Sequence, residues 1–455
     1  MTSRLAPMLG AAACALAIAG CASYRPLPLA EHAQLADRIG DILHTVPAAA
    51  PGAKAVVIDV GQPLSVDQIG LLAILNDPEL RTERGEFDLA RADATQSATL
   101  PNPSVSLSYA ALLGGPGTAG AFTASLAQDV ASLVTYRSRV SAARAHVSEV
   151  NADLLWNEWQ VAQKARLLAV DLYWGERSIQ SSDAALQSLS KEAADVSRAV
   201  EAGSMSLSDF SPIAAAKASA EHTLGSMRLD QLKNWQDLDA LLGMKPGIRF
   251  AIAAPEVPEV PTDLDAQIAS VPSRRPDLVA LQLGYRSADE SVRAAILGQF
   301  PAFVLGGTYG SDTSNVRSAG PTATFDLPIF NRNQGEVAKT RATRRLLHEQ
   351  YQARLDDAVS SILALAARSR SIASDLAQAR QSAATTESQA QAARTAFARS
   401  DLDQRALTDF ESTALDRRLD VFSLERGLDE ARIALALELG SGLPSTRIAP
   451  LDPVR

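Results

Sequence analysis

Along most of this chain the apolar positions recur with a helical period, and at four places the period drops to two. Between Pro103 and Leu113, Val105, Leu107, Tyr109, Ala111 and Leu113 alternate with Ser104, Ser106 and Ser108. Between Phe122 and Ala127, Phe122, Ala124 and Leu126 alternate with Thr123 and Ser125. Gly114-Gly115-Pro116-Gly117 separates the two runs as a turn signal. Phe303, Leu305 and Tyr309, then Ala323, Phe325 and Leu327, repeat the pattern around a predicted loop over Gly310–Pro321. An apolar face set against a Ser/Thr face fits a barrel wall with lipid outside and water inside. Taken alone, these residues fit an ordinary half-buried hairpin better.

Helices are predicted from about Val66 to Ser97 and from about Leu264 to Leu297, each ending before a proline that opens an extended stretch. From Glu336 to Arg426 there is neither Gly nor Pro, and between Ala121 and Ala202 only Gly175 interrupts. Such runs are too long for one helix in a globular domain, so each reads as a helical hairpin. The reversals fall at Gly203-Ser204-Met205 and Ser400-Asp401-Leu402. Arms of about 60 residues would span about 90 Å. Leu355, Val359, Ile362, Leu363 and Ala366 form a narrow apolar stripe, as in a coiled-coil seam.

The chain repeats itself at an offset of about 200 residues. Asp77-Pro78-Glu79-Leu80 and Leu100-Pro101-Asn102-Pro103 answer to Arg275-Pro276-Asp277-Leu278 and Phe300-Pro301. Leu207-Ser208-Asp209-Phe210 recurs as Leu407-Thr408-Asp409-Phe410, and Leu242-Gly243 as Leu439-Gly440. The expected organisation is a first repeat over 63–245 and a second over 263–442. The first carries strands near 103–113 and 120–128 and a helical hairpin over about 135–245. The second carries strands near 302–310 and 321–328 and a hairpin over about 334–441. A Pro-rich linker covers 246–262, and 443–455 is a short tail. The fold class is mainly α with a small β part.

The N-terminus reads as an address. Arg4 precedes an apolar stretch from Leu5 to Ala19, and Ile18-Ala19-Gly20-Cys21 follows. This is the pattern of a secretory signal over 1–20 ending in a bacterial lipobox. Lipid on the Cys21 sulfur, and an acylated new amine, would then anchor a mostly extended segment over 21–62. An ordinary signal peptide with an incidental Cys is the plainer alternative. Ala22 and Ser23, with no Asp after the Cys, resemble lipoproteins sent to the outer membrane.

Composition removes several functions. Lys and Arg number 43 against 52 Asp and Glu, a net charge of −9, so a nucleic-acid footprint is not expected. Nearly one residue in five is alanine and only 5% are aromatic, which suits closely packed helices. Two Cys exclude a disulfide scaffold, and five His without a His/Cys cluster give no metal site. No Walker A, GxSxG or dinucleotide-binding loop is present. Ser188-Leu189-Ser190-Lys191 matches SxxK but lies mid-helix without its partners. No catalytic residue and no cofactor beyond the lipid on Cys21 is therefore expected. Trp156, Trp159, Trp174 and Trp235 read as packing, and Arg341, Arg344 and Arg345 as a basic cluster facing Glu336 or solvent.

Four strands per chain cannot close a barrel, but three chains would supply twelve. The order helix–strand–strand–helical hairpin, twice, resembles the TolC-like outer membrane factor family. So do Leu100-Pro101-Asn102-Pro103, Arg274-Arg275-Pro276-Asp277-Leu278, Phe300-Pro301 and Leu327-Pro328-Ile329-Phe330-Asn331. The resemblance covers about residues 63–442, and the lipobox matches its lipidated branch. It implies a homotrimer with a 12-stranded β-barrel in the outer membrane on an α-helical barrel in the periplasm. It further implies docking to a periplasmic adapter and an inner-membrane pump, as the passive exit duct for small molecules or metal ions. Drug and metal branches share this architecture, and Leu71–Leu80 resembles the metal branch.

In that family acidic side chains ring the periplasmic mouth near the second reversal. The matching positions are Asp409, with Asp401 and Asp403 nearer the tip and Asp209 as the repeat-related residue. Here Asp401 takes the place of a family Gly, and Ser412 that of a second acid. Gly203, Ser204, Met205, Ser400 and Leu402 are the adapter-contact candidates at the tips. Solvated turn residues are the bland alternative for all of these. The competing function is a structural or adhesive coiled-coil lipoprotein of the outer membrane, which would need no strands.

Overall fold

The computed structural model describes residues 24–47, 55–117, 119–301 and 303–448. Cys21 and the side chain of Asp209 lie outside the described parts. The chain divides into two units, Met1–Leu35 and Ala36–Arg455. In the first, residues 24–35 run without helix or strand, and Tyr24, Leu27 and Leu29 are exposed. Everything below concerns the second.

That unit opens with a 3-10 turn, Ile39–Asp41, and a two-stranded antiparallel ladder, β1 (Thr45–Val46) against β2 (Val56–Val57). The ladder lies in a stretch that its prolines mark as extended. The first repeat follows as α1 (Val66–Asn76), α2 (Pro78–Ser97), β3 (Ser104–Ala110), β4 (Ala121–Asp129), α3 (Ala131–Glu201) and α4 (Leu207–Leu241). The second runs α5 (Leu264–Arg274), α6 (Pro276–Leu297), β5 (Phe303–Ser311), β6 (Arg317–Phe325), α7 (Gln334–Ala398) and α8 (Gln404–Glu438).

Each leading helix, expected in one piece, is broken in two. Pro78 and Pro276 lack an N–H and crowd the residue before them out of the α region. Asp77 accordingly sits at ψ 126° and Arg275 at ψ 120°. The two junctions are secured by opposite charges. The buried Asp77 carboxylate accepts from the Glu79 and Leu80 backbone N–H at 2.8 and 2.9 Å, an N-cap. Arg275, only 2% exposed, forks onto Asp277 at 2.7 and 3.0 Å, reaches Glu438 of α8, and stacks over the Trp156 ring at 4.7 Å. The α1 start carries a capping box between Ser65 and Gln68.

The predicted loop Gly310–Pro321 is also shorter than expected. Asp312 makes the turn by accepting from Ser314 and Val316 N–H at 2.9 and 3.0 Å, so β6 begins at Arg317. Pro321 falls inside β6, an edge strand, where a missing N–H is tolerated.

The 71-residue α3 is about 105 Å long at the α-helical rise. It packs against α2 near the sheet, against α1 about midway, where Arg166 pairs with Asp67 at 2.9 Å, against α4 towards its far end, and against α6 and α8 of the other repeat. Apolar burial is divided between the repeats. Leu64, Ile69, Leu72, Leu172, Leu238 and Leu242 anchor one core, and Val271, Leu278, Ile362, Leu435 and Leu439 the other. Alanines at the contact positions, among them Ala162, Ala165, Ala169, Ala358 and Ala366, let the backbones approach closely. The linker 246–262 is tied down by Leu64 and Ala251–Ala253, which exchange two backbone bonds of 2.9 Å.

Arg275→Ala would strand Asp277 and Glu438 as buried, uncompensated charges. The expected cost is about 3–5 kcal/mol, against under about 1 kcal/mol for an exposed pair such as Arg417→Ala. Thermal unfolding of the purified variants followed by tryptophan fluorescence reads this, and equal midpoints for the two would refute the central role of Arg275.

Candidate conduit wall and helical tips

The sheet has the order β3-β4-β5-β6 and is antiparallel throughout. Residues opposite each other in such ladders share a face. One set of rows reads Val105–Leu126–Gly307–Pro321, Leu107–Ala124–Tyr309–Ala319 and Tyr109–Phe122–Ser311–Arg317. The rows between them read Ser104–Ala127–Gly306–Thr322, Ser106–Ser125–Thr308–Gly320 and Ser108–Thr123–Gly310–Ser318. The alternation seen in single strands is thus continuous across four strands. A greasy face, with Leu107 and Tyr109 about seven-tenths exposed, backs a face of hydroxyls and glycines. A Cβ on Gly306 would strike the Leu126 carbonyl, and one on Gly310 would meet that of Phe122 at 2.6 Å. The backbone of β4 thus lies too close to β5 for any side chain larger than hydrogen at these two positions. Among the described residues β3 and β6 are each paired on one side only.

At the far end the two hairpins reverse with the same backbone device. Gly203 and Ser400 adopt positive φ, 75° and 62°, and the next residue donates back to Ala199 or Ala396 at 2.8 and 2.9 Å. Ser400 is therefore the counterpart of Gly203 in the second repeat. Ser204 bonds the Ala199 carbonyl through its hydroxyl at 2.9 Å. Met205 is half-buried and packs, with Phe210, on Val196 and Ile213, so it closes the tip core and is not a free contact.

The acidic candidates separate. Asp403 is the N-cap of α8, accepting from Ala406 N–H at 2.7 Å. Asp401 and Asp409 are exposed, with no side-chain partner among the described residues. Asp209 is not the counterpart of Asp409: it is the third residue of α4, whereas Asp409 is the sixth of α8. The shared Leu-[Ser/Thr]-Asp-Phe motif is displaced by almost one turn between the repeats.

Above the tips α7 and α8 are braced by Arg394 to Glu411 at 2.6 Å, Arg394 to Glu387 at 3.5 Å, and Arg418 to Glu387. α3 joins them where Thr408 donates to Glu192 at 3.3 Å, and burial pushes the Glu192 carboxyl up. The Glu411 bond in turn holds the Arg394 guanidinium above its usual range. Higher on the α3–α8 seam, Trp174 donates to Asp429 at 3.0 Å, and Arg426 lies between Asp171 and Glu430 at 3.8 and 3.3 Å. The braces between helices were not visible in the sequence, because they join residues 17 to 255 positions apart.

Other sequence candidates are placed as follows. Ser188 bonds Glu192 at 3.4 Å within its own helix. Arg344 pairs with Asp289 of α6 at 2.7 Å, and Glu336 with Lys339 at 3.7 Å, so the basic cluster does not turn on Glu336. Trp159 and Trp235 carry Arg166 and Arg249 over their rings. Among the described residues no three His, Cys, Asp or Glu gather to hold a metal ion, and no helix is long and apolar enough to cross a membrane.

With this geometry in view, comparison with known proteins is informative. Residues 268–441 match the family model described as outer membrane efflux protein. That segment is thus similar to an outer membrane efflux protein domain. The chain's fold is similar to that of the channel-forming protein CusC, with a TM-score of 0.69 and 17% identity over 83% of this chain and 92% of that one. It is similar to the Campylobacter jejuni CmeC outer membrane channel at 0.68 and 14%, over 84% and 87%. It is similar to the outer membrane protein VceC of Vibrio cholerae at 0.67 and 18%, over 83% and 96%. No curated protein matches the sequence. The architecture is that of the TolC-like outer membrane channels, and the efflux domain coincides with the second repeat from α5 to the end of α8.

Two carboxyls of the helical region, the half-buried Glu430 and the more exposed Asp153, hold their protons to higher pH than usual. Burial, with Asp171 beside it, pushes Glu430 up to about 7. Burial, with Glu149 and Asp277 adding to it, pushes Asp153 up to about 6. Both hold protons in the folded chain that the unfolded chain has released, so stability falls as pH rises from about 4.5 to about 7 and levels off above. The melting midpoint should drop across that window in the parent chain and much less in Glu430→Gln with Asp153→Asn. An undiminished slope in the double variant would sink this assignment.

Proposed function

We propose that three copies of this chain form a passive outer membrane duct for efflux. The observation that carries the reading is the two-faced sheet with unpaired edges: β6 of one copy meets β3 of the next, and twelve strands close the barrel. The greasy rows then face lipid and the hydroxyl rows face water. α3, α4, α7 and α8 of each copy supply twelve arms, a tube projecting into the periplasm. The lipid on Cys21 adds an anchor in the same membrane. The tips, with Gly203, Ser204, Ser400 and Leu402 at the turns, meet a periplasmic adapter, and an inner-membrane pump supplies the energy. The duct does no covalent chemistry; it passes small molecules or metal ions.

At the mouth, three copies of one carboxylate make a ring that favours cations. Asp409 and Asp401 are the free carboxylates there, while Asp403 and its cap belong to the turn. The test is single-channel conductance of the mature protein in a planar bilayer, beside Asp409→Ala. Discrete cation-selective openings that grow in the variant support the duct and the ring. Unchanged openings keep the duct and discard Asp409. Silence from both proteins, with a monomer in solution, points to the coiled-coil lipoprotein instead.

A further inference from the structure

Where the sheet meets the helices, two cavities lie one above the other. The upper is a groove of about 750 Å³ at the root of α3, lined by Val134, Leu297, Phe300, Phe303 and Phe325, with Ser132 and Thr135 on its helical side. Phe303 and Phe325 face each other at the end of the sheet's greasy face, so the groove continues that face. The lower, of about 510 Å³, shares Thr135 with it and sets Asp93, Arg139, His146, Asn333 and Glu336 among alanines.

Arg139 links the two. One guanidinium nitrogen donates to the Ser132 carbonyl at 3.4 Å, and its Nε is buried without a partner. No carboxylate pairs with Arg139 among the described residues, and Asp93 is likewise exposed without a cation. His146 is held by Glu149 at 3.0 Å and Glu336 by Lys339 at 3.7 Å, so among the described residues Arg139 and Asp93 are the charges of the lower cavity left unpaired beneath the apolar slot.

The bilayer needs such a slot. Strands of 7 to 9 residues measure about 23–30 Å at about 3.3 Å per residue. Tilted by about 40°, they cover about 18–23 Å of an apolar band about 25 Å tall. The remaining few ångströms fall on the collar below the strands, where the groove opens and Phe300, Leu327, Ile329 and Phe330 are exposed.

We infer that this pair of cavities binds one aminophospholipid of the periplasm-facing leaflet, its acyl tail in the groove, its phosphate on Arg139 and its ammonium towards Asp93. The inference rests on the membrane placement of the sheet proposed above. Tail towards the sheet and head towards the helices is the orientation that leaflet imposes. A singly anionic lipid would leave Asp93 facing its phosphate, so the site discriminates between headgroups.

The test uses the full chain in phosphatidylcholine vesicles containing a minor fraction of acyl-brominated phosphatidylethanolamine or phosphatidylglycerol. Tryptophan is introduced by Val134→Trp in the groove or Leu107→Trp on the open greasy face, and bromine quenching is compared with the parent chain. At position 134 the expected preference for the ethanolamine lipid is at least about threefold, lost with Arg139→Gln and reduced with Asp93→Asn. Position 107 is expected to be quenched by both lipids alike. Quenching at 107 but not at 134 would overturn the site and keep the membrane placement. Equal quenching at 134 by both lipids, indifferent to Arg139→Gln, would likewise overturn it. Absence of quenching at both positions would overturn the membrane placement and the site together.

Discussion

Two unpaired strand edges are the constraint on which the rest of this structure depends. In water the sheet would leave Val105, Leu107 and Tyr109 uncovered; in lipid its apolar face is at home, but every unsatisfied backbone group along β3 and β6 costs several kcal/mol. Four strands cannot curl far enough to pair their own edges. In the proposed duct, further copies of the same edges satisfy both demands. At β5, Gly306 and Gly310 admit the neighbouring carbonyls where a side chain would clash.

The helices answer a different demand. α3 has to accept five partners along its length, and two of them belong to the other repeat. Small side chains at the contacts make that possible at close range, and they leave little apolar area per residue. Charge fills the gap. Arg275 holds the α5–α6 break, the end of α8 and the face of Trp156 together in one buried cluster. Along the α3–α8 seam, the packing confines carboxyls closely enough that burial keeps some of them protonated.

Much of the architecture was legible in the residues. Period-two alternation located the four strands of the larger sheet but not the short β1 and β2, and the absence of Gly and Pro announced the long helices. Gly203 marked one reversal directly; Ser400 marked the other only through its place in the repeat, since serine rarely adopts positive φ. Pro78 and Pro276 could have been read as helix breaks, with Asp77 as the capping signature. The tip acids were harder. Aligning Asp209 with Asp409 by motif was misleading, because a shift of three residues keeps a side chain on nearly the same helical face while moving it along the axis by almost a turn.

The sequence by itself determined the alternation, the repeat, the turns and the composition that excludes nucleic acid and disulfides. These depend on neighbours a few residues apart, where side-chain type and backbone preference act directly. Tertiary structure alone decided that β4 pairs with β5 across the two repeats, that Asp403 is consumed by a helix cap while Asp409 stays free, and that Arg139 faces a slot without a counter-ion. Those facts join positions tens to hundreds of residues apart. Their energies come from burial and from distances between charges, and neither exists until the chain has folded.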